Sequence, residues 1–150
     1  MPLALPASPV RSILRRVIGA GLRAADPAPA LLNRVHRTGH RLQVGRRSYD
    51  LRSFDRIVVA GAGKASARMA QTLERVLGAY LDGGLIVVKT GHRLSTKRIT
   101  VIEAGHPVPD RAGLGAAKQL RARVAELGPR DLLIVLLSGG ASSLIPAPVE

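Results

Sequence analysis

Arg56-Ile57-Val58-Val59-Ala60-Gly61-Ala62-Gly63-Lys64-Ala65-Ser66 reads as a strand that runs into a glycine turn and then a helix. Its apolar residues are consecutive rather than alternating, so the strand must be covered on both faces, as strands are in parallel sheets packed between helices. Strand Arg56 to Ala60, turn Gly61-Ala62-Gly63-Lys64, and a helix to about Leu77 stopped by Gly78 form the first unit. Leu85–Lys89 and Ile99–Glu103 read as further strands. After the stiff loop Gly105 to Asp110, Asp110 caps a helix that runs to about Leu127, where Gly128-Pro129 breaks it. Leu132–Leu137 is a wholly apolar strand that enters Ser138-Gly139-Gly140-Ala141-Ser142-Ser143. The class is therefore α/β: a Rossmann-like parallel sheet with helices on both faces, expected to be incomplete at the C-terminus because the last loop promises a further helix.

Before this region, residues 1–35 read as a helical segment. Val10 to Ala25 sets Val10, Ile13, Leu14, Val17, Ile18 and Leu22 on one face and arginines on the other. Asp26-Pro27 ends that helix, and a short second one is expected around Ala30 to Val35. His36 to Leu51 is polar and weakly alternating, which suggests a peripheral hairpin or loop. The apolar, proline-rich start precedes its arginines, the reverse of a signal peptide, and no run approaches a membrane span. A cytoplasmic protein without membrane contact is the expectation.

The 150 residues carry no cysteine, which excludes disulfides and thiolate sites, and a net charge of +13, which favours anionic ligands. Nucleic acid is a poor fit: the arginines are spread out, and 2% aromatic content leaves no platform for stacked bases. In an open parallel sheet ligands lie beyond the carboxyl ends of the strands, where both glycine-rich turns fall. Gly61 and Gly63 would let backbone approach an anion, and Lys64 puts an ammonium at a helix entry, where it opposes the helix dipole unless an anion compensates. The turn is no P-loop, since Val58 stands where that motif needs glycine. It is an incomplete dinucleotide fingerprint, with Ser66 at the third glycine position and Lys89 where a ribose-binding acid belongs, although Lys89 or Arg93 would suit an NADP phosphate. The amides and hydroxyls of Ser138, Gly139, Gly140, Ala141 and Ser142 can form an anion nest. His106 is a further candidate; Asp110 reads as a cap. No histidine has metal-ligand spacing.

Three motifs in this order, Gly61-Ala62-Gly63-Lys64-Ala65-Ser66, Glu103-Ala104-Gly105-His106-Pro107-Val108-Pro109-Asp110 and Leu137-Ser138-Gly139-Gly140-Ala141-Ser142, resemble the ATP-dependent glycerate 2-kinases. Their N-terminal part is called the glycerate kinase or DUF4147 domain, some members are labelled hydroxypyruvate reductase, and the chains end in a MOFRL domain. The resemblance implies a partial N-terminal domain over 1–150, lacking the MOFRL domain, and phosphorylation of D-glycerate to 2-phosphoglycerate with ATP and Mg2+. Lys64 matches the family's functional lysine, and the Ser138–Ser142 loop matches the segment lining the substrate cleft. It further implies that residues 1–150 alone are inactive; self-association is expected separately, because the apolar strand Leu132–Leu137 needs cover on both faces. The alternatives are an NADP-linked hydroxypyruvate reductase and a basic anion-binding module without catalysis.

Overall fold

The computed structural model describes residues 9–148; the proline-rich start ahead of Pro9, read above for targeting, lies outside them. Helix α1 spans Pro9–Ala25 and α2 spans Pro27–Leu32. Asp26-Pro27 therefore starts a helix as well as ending one. Asp26 caps α2, accepting from the Ala28 N–H at 2.9 Å, and Pro27 takes the first helical position, where its missing N–H costs nothing. The second helix is thus earlier than its composition suggested, and Val35 already belongs to a strand.

What the sequence offered as one hairpin or loop is a three-stranded antiparallel sheet, β1 (Val35–Thr38), β2 (Arg41–Val44) and β3 (Arg47–Asp50). It is held by few apolar groups, chiefly Leu42, buried in the main core with Leu51.

The main sheet is parallel and four-stranded: β4 (Ile57–Ala62), β5 (Gly83–Lys89), β6 (Ile99–Ala104) and β7 (Leu132–Leu137), in the order β6-β5-β4-β7. Between β4 and β5 runs α3 (Ser66–Leu77); α4 (Arg111–Ala125) joins β6 to β7, and the single turn α5 (Ala141–Leu144) follows β7. Ala67, Ala70, Leu73 and Leu77 of α3 pack on one face of the sheet against Ile57, Val59, Ile86, Val88 and Leu136. Ala116 of α4 and Leu144 of α5 cover the other face at Ala62, Val87 and Ala104. Helices on both faces of a parallel sheet are what the continuous apolar runs required.

The chain builds β4, β5 and β6 outward in one direction, then returns to lay β7 on the opposite side of β4. The order reverses between β4 and β7, and loops diverge there at the carboxyl ends of the strands. Both glycine-rich turns flank this reversal.

Candidate functional site

The turn after β4 and the turn after β7 are locked to each other. The Lys64 N–H donates to the Gly139 carbonyl at 3.1 Å, and the Ala65 N–H to Ser138 Oγ at 3.0 Å. Ser66 Oγ, fully buried, donates to the Leu136 carbonyl at 3.4 Å and stands 3.5 Å from Ser138 Oγ. On the other side the Gly63 N–H donates to the Val87 carbonyl, tying the same turn to β5.

This bracing sets the roles of the glycines. Gly61 is not in the turn; it lies inside β4, paired with Leu136 and Ile86. A Cβ there would fall 2.3 Å from the Leu136 carbonyl oxygen, so its glycine lets β7 close on β4 and offers nothing to a ligand. Gly63, at φ +133°, is likewise pressed on Ser138. The Ser138 hydroxyl is engaged as a brace rather than turned toward an anion, and the N–H groups of Lys64, Ala65 and Ser66 already have acceptors. Those three could not hold a pyrophosphate as a dinucleotide fingerprint does.

What remains open lies at the mouth of the reversal. Gly140, at φ +94°, has its Cα against the imidazole of His106: a Cβ would stand 2.7 Å from His106 Nε2 and 3.5 Å from Lys64 Cε. Three motifs that are 34 or more residues apart thus meet at one point, which no local pattern discloses. Lys64 is exposed and has no ion-pair or hydrogen-bond partner for its ammonium among the described residues. Neither the Gly139 nor the Gly140 N–H finds an acceptor among the described residues, and the space beside Gly139 is empty to 4 Å. Ala141 and Ser142 form the first turn of α5, with the Ser142 side chain exposed. An ammonium, an imidazole and two unpaired amides facing open space are groups whose chemistry suits an anion.

The loop that carries His106 is held from beneath. Its His106-Pro107 peptide is cis. Asp110 caps α4 by accepting from the Gly113 N–H at 2.8 Å, and the N–H groups of Gly113 and Gly105 hold its carboxyl below the usual carboxylate range. Asp110 is a cap, as expected, and not an acid or base for the site. Lys89 closes β5 one strand away, half-buried and without an acid partner among the described residues. The sequence offered it as a mismatch for an NAD ribose or a partner for an NADP phosphate, and a lysine at the carboxyl end of a central strand adds to the same positive field. His36 and His40 lie on the antiparallel sheet side of the fold, away from these loops.

The chain is similar to known proteins over nearly its whole length. A protein of Pyrococcus horikoshii named glycerate 2-kinase is 34% identical over 94% of this chain and 31% of its own length. An Agrobacterium vitis protein whose name includes the words hydroxypyruvate reductase is 38% identical over 92% of this chain and 28% of its own. A solved P. horikoshii structure aligns with 97% of this chain and 33% of its own at a TM-score of 0.80 and 34% identity. The chain spans about a third, or less, of the length of each of these relatives. The profile of the family described as "Domain of unknown function (DUF4147)" matches residues 13–150, and the chain belongs to that family.

Proposed function

We propose that this chain supplies the anion-holding part of a glycerate 2-kinase site, in which ATP phosphorylates the 2-hydroxyl of D-glycerate to give 2-phosphoglycerate. The observation that carries the reading is the meeting of Lys64, His106 and the unpaired Gly139 and Gly140 amides at the sheet reversal. In phosphoryl transfer the hydroxyl oxygen bonds to the γ-phosphorus as the bond to the bridging oxygen breaks, ADP leaves, and the hydroxyl proton is lost. Catalysis is mostly positioning and charge stabilisation, which an ammonium and fixed amides provide. Lys64 offsets charge on the transferring group or the glycerate carboxylate, the two amides fix one anionic oxygen, and His106 borders the pocket. Among the described residues no three His, Asp or Glu side chains gather to hold a metal ion, and no step is assigned to one.

Against the reductase reading stand the place of Gly61, the first glycine of the fingerprint, inside β4 and the acceptors already taken by the Lys64, Ala65 and Ser66 N–H groups. Titration calorimetry separates the two: NADH should not bind and NADPH at most weakly, and tight nicotinamide binding would overturn the kinase reading. The kinase test joins residues 1–150 to the polypeptide that follows the matched region in the P. horikoshii relative. Lys64→Met should then lower turnover of D-glycerate with ATP at least about a hundredfold, the usual scale for an electrostatic stabiliser. Turnover near the parent value would return Lys64 to a solvated surface lysine.

A further inference from the structure

The acids around the main sheet are gathered at the amino ends of its strands, away from the glycine-rich turns. Asp55 pairs with Arg130, Asp131 pairs with Arg56, and Asp82 accepts from the Ile57 N–H that opens β4. Only two acids lie toward the carboxyl ends among the described residues, and both are held by backbone. Glu103 accepts from the Gly91 N–H at 2.7 Å, and Asp110 caps α4. Arg93 is turned onto the edge of β6, where it donates to the Val101 carbonyl. Lys89 is left over. It ends a strand whose residues 84–88 are buried, is half-buried itself, and has no acceptor for its ammonium among the described residues. A cation drawn partly out of water without a partner costs the fold, and an anion would offset that cost.

The pleat gives its direction. Side chains two residues apart on a strand share a face, so Lys89 stands on the face of Val87, which packs with Ala62, Ala104 and Leu144 beneath α4 and α5. Lys89 is in register with Ala104, two residues before His106; Val87 is in register with Ala62, two residues before Lys64. β5 and β4 lie between β6, which leads to His106, and β7, which leads to Gly140. The approach of His106 to Gly140 therefore crosses the ends of the two strands that carry the lysines. Those strands are neighbours, ~4.8 Å apart. Their cations differ in access: Lys64 is exposed and Lys89 half-buried.

We infer that Lys89 is the residue that makes this site select an acid, its ammonium taking the carboxylate of the small hydroxy acid while Lys64 takes the phosphate tail of the donor; the two ligands are those of the kinase reading, on which this rests. Access assigns the partners. A triphosphate is bulky and multiply charged and meets the cation that solvent reaches, whereas a carboxylate is small enough for the half-buried one. Connectivity agrees, since in a 2-hydroxy acid the carboxylate is bonded to the carbon that bears the reacting hydroxyl. An acid held at Lys89 keeps that oxygen close to the neighbouring strand, where Lys64 begins the next helix. An alcohol without the carboxylate leaves Lys89 unpaired, and an unpaired polar group is what lets a site reject an analogue.

Titration calorimetry with D-glycerate, glycerol and tripolyphosphate tests this on residues 1–150 and on the joined chain. The parent should bind D-glycerate and not glycerol. Lys89→Met should weaken D-glycerate at least about tenfold, the scale of a hydrogen bond to a charged group. It should weaken tripolyphosphate less than about fivefold, the scale of a screened charge nearby. Lys64→Met should show the reverse order, and Lys89→Arg should bind D-glycerate more tightly than Lys89→Met, which a space-filling role would not require. The urea midpoint of Lys89→Met should not fall, because no partner is lost; if it falls, Lys89→Gln takes its place. Equal losses for both ligands in both variants would overturn the assignment and leave only a general positive field. So would D-glycerate binding that survives Lys89→Met, or a parent that takes up no D-glycerate in either form. A joined chain that binds D-glycerate through Lys89 but never phosphorylates it would sink the kinase reading and leave the acid site standing.

Discussion

Replacing Gly63 with alanine tests whether the two glycine-rich turns brace each other. Gly63 sits at φ +133°, where an L-residue is strained by about 1–3 kcal/mol. The added methyl would also lie 2.1 Å from Ser138 Oγ and 2.6 Å from the Ser138 carbonyl oxygen. Rotating the hydroxyl relieves the first contact and not the second, so the turns must part by roughly 1 Å to reach ordinary contact distance. That movement endangers the Lys64 N–H to Gly139 and Ala65 N–H to Ser138 hydrogen bonds, each worth about 1 kcal/mol net. The sum is about 3–5 kcal/mol, a large part of the ~5–15 kcal/mol that holds a domain folded. Gly91→Ala is the matched control: φ is +81° and nothing lies within 4 Å, so only the backbone cost of about 1–2 kcal/mol applies. Urea titration of both variants should separate them by about 2–3 kcal/mol, the part of the Gly63 cost not shared with the control. A Gly63→Ala variant as stable as Gly91→Ala would show that the turns are not in contact in solution.

Lys64→Met should change folding stability by less than about 0.5 kcal/mol, since the ammonium is exposed and unpartnered, which distinguishes a ligand-binding role from a structural one; urea titration reads it. The Arg68 guanidinium, helped by the Ala28 N–H, lowers the Asp26 carboxyl to about 2 from its ordinary 3.8. A depressed carboxylate stabilises the fold above its unfolded value and loses that contribution as pH falls through the folded one. The stability gap between the parent and Asp26→Asn should therefore be full at pH 5 and close on approach to pH 2. Glu74 accepts from the N–H groups of Lys97, Arg98 and Ile99 at 2.8 to 3.1 Å. Glu74→Ala should cost about 2 kcal/mol and speed hydrogen exchange at those three amides, the loss typical of bonds to a charged acceptor.

Three of the four long strands were legible as runs rich in Val, Ile or Leu that only a doubly covered sheet can hide, and β6 by its Ile99, Val101 and Ile102; Leu132–Leu137 has the same bounds in the sequence and in the structure. The small antiparallel sheet was not, because its strands are four residues long and Leu42 alone is fully buried among them, so alternation carried almost no signal. Asp26-Pro27 was ambiguous in principle: a stop for one helix and a cap for the next use the same residues. At the site, Lys64 and the Ser138–Gly140 turn could be named from chemistry. Their mutual arrangement could not, since strand order is fixed by packing over distance. Gly61 shows the limit most clearly. A glycine beside a turn looks like a ligand contact, while its actual neighbour is a carbonyl 75 residues away.

The pairing of these turns also has a consequence in time. β5 and β6 follow β4 in the chain, but Ser138 is 75 residues beyond Gly63 and its strand is the last made of the four described. At about 5–20 residues per second, translation leaves the Lys64 turn waiting roughly 4–15 s for the strand that shapes it. During that interval the nascent sheet has β4 at its open margin, and the lysine is carried by a loop with no opposing wall. The wall on which the proposed anion site depends is thus completed only when β7 clears the ribosome and closes on β4.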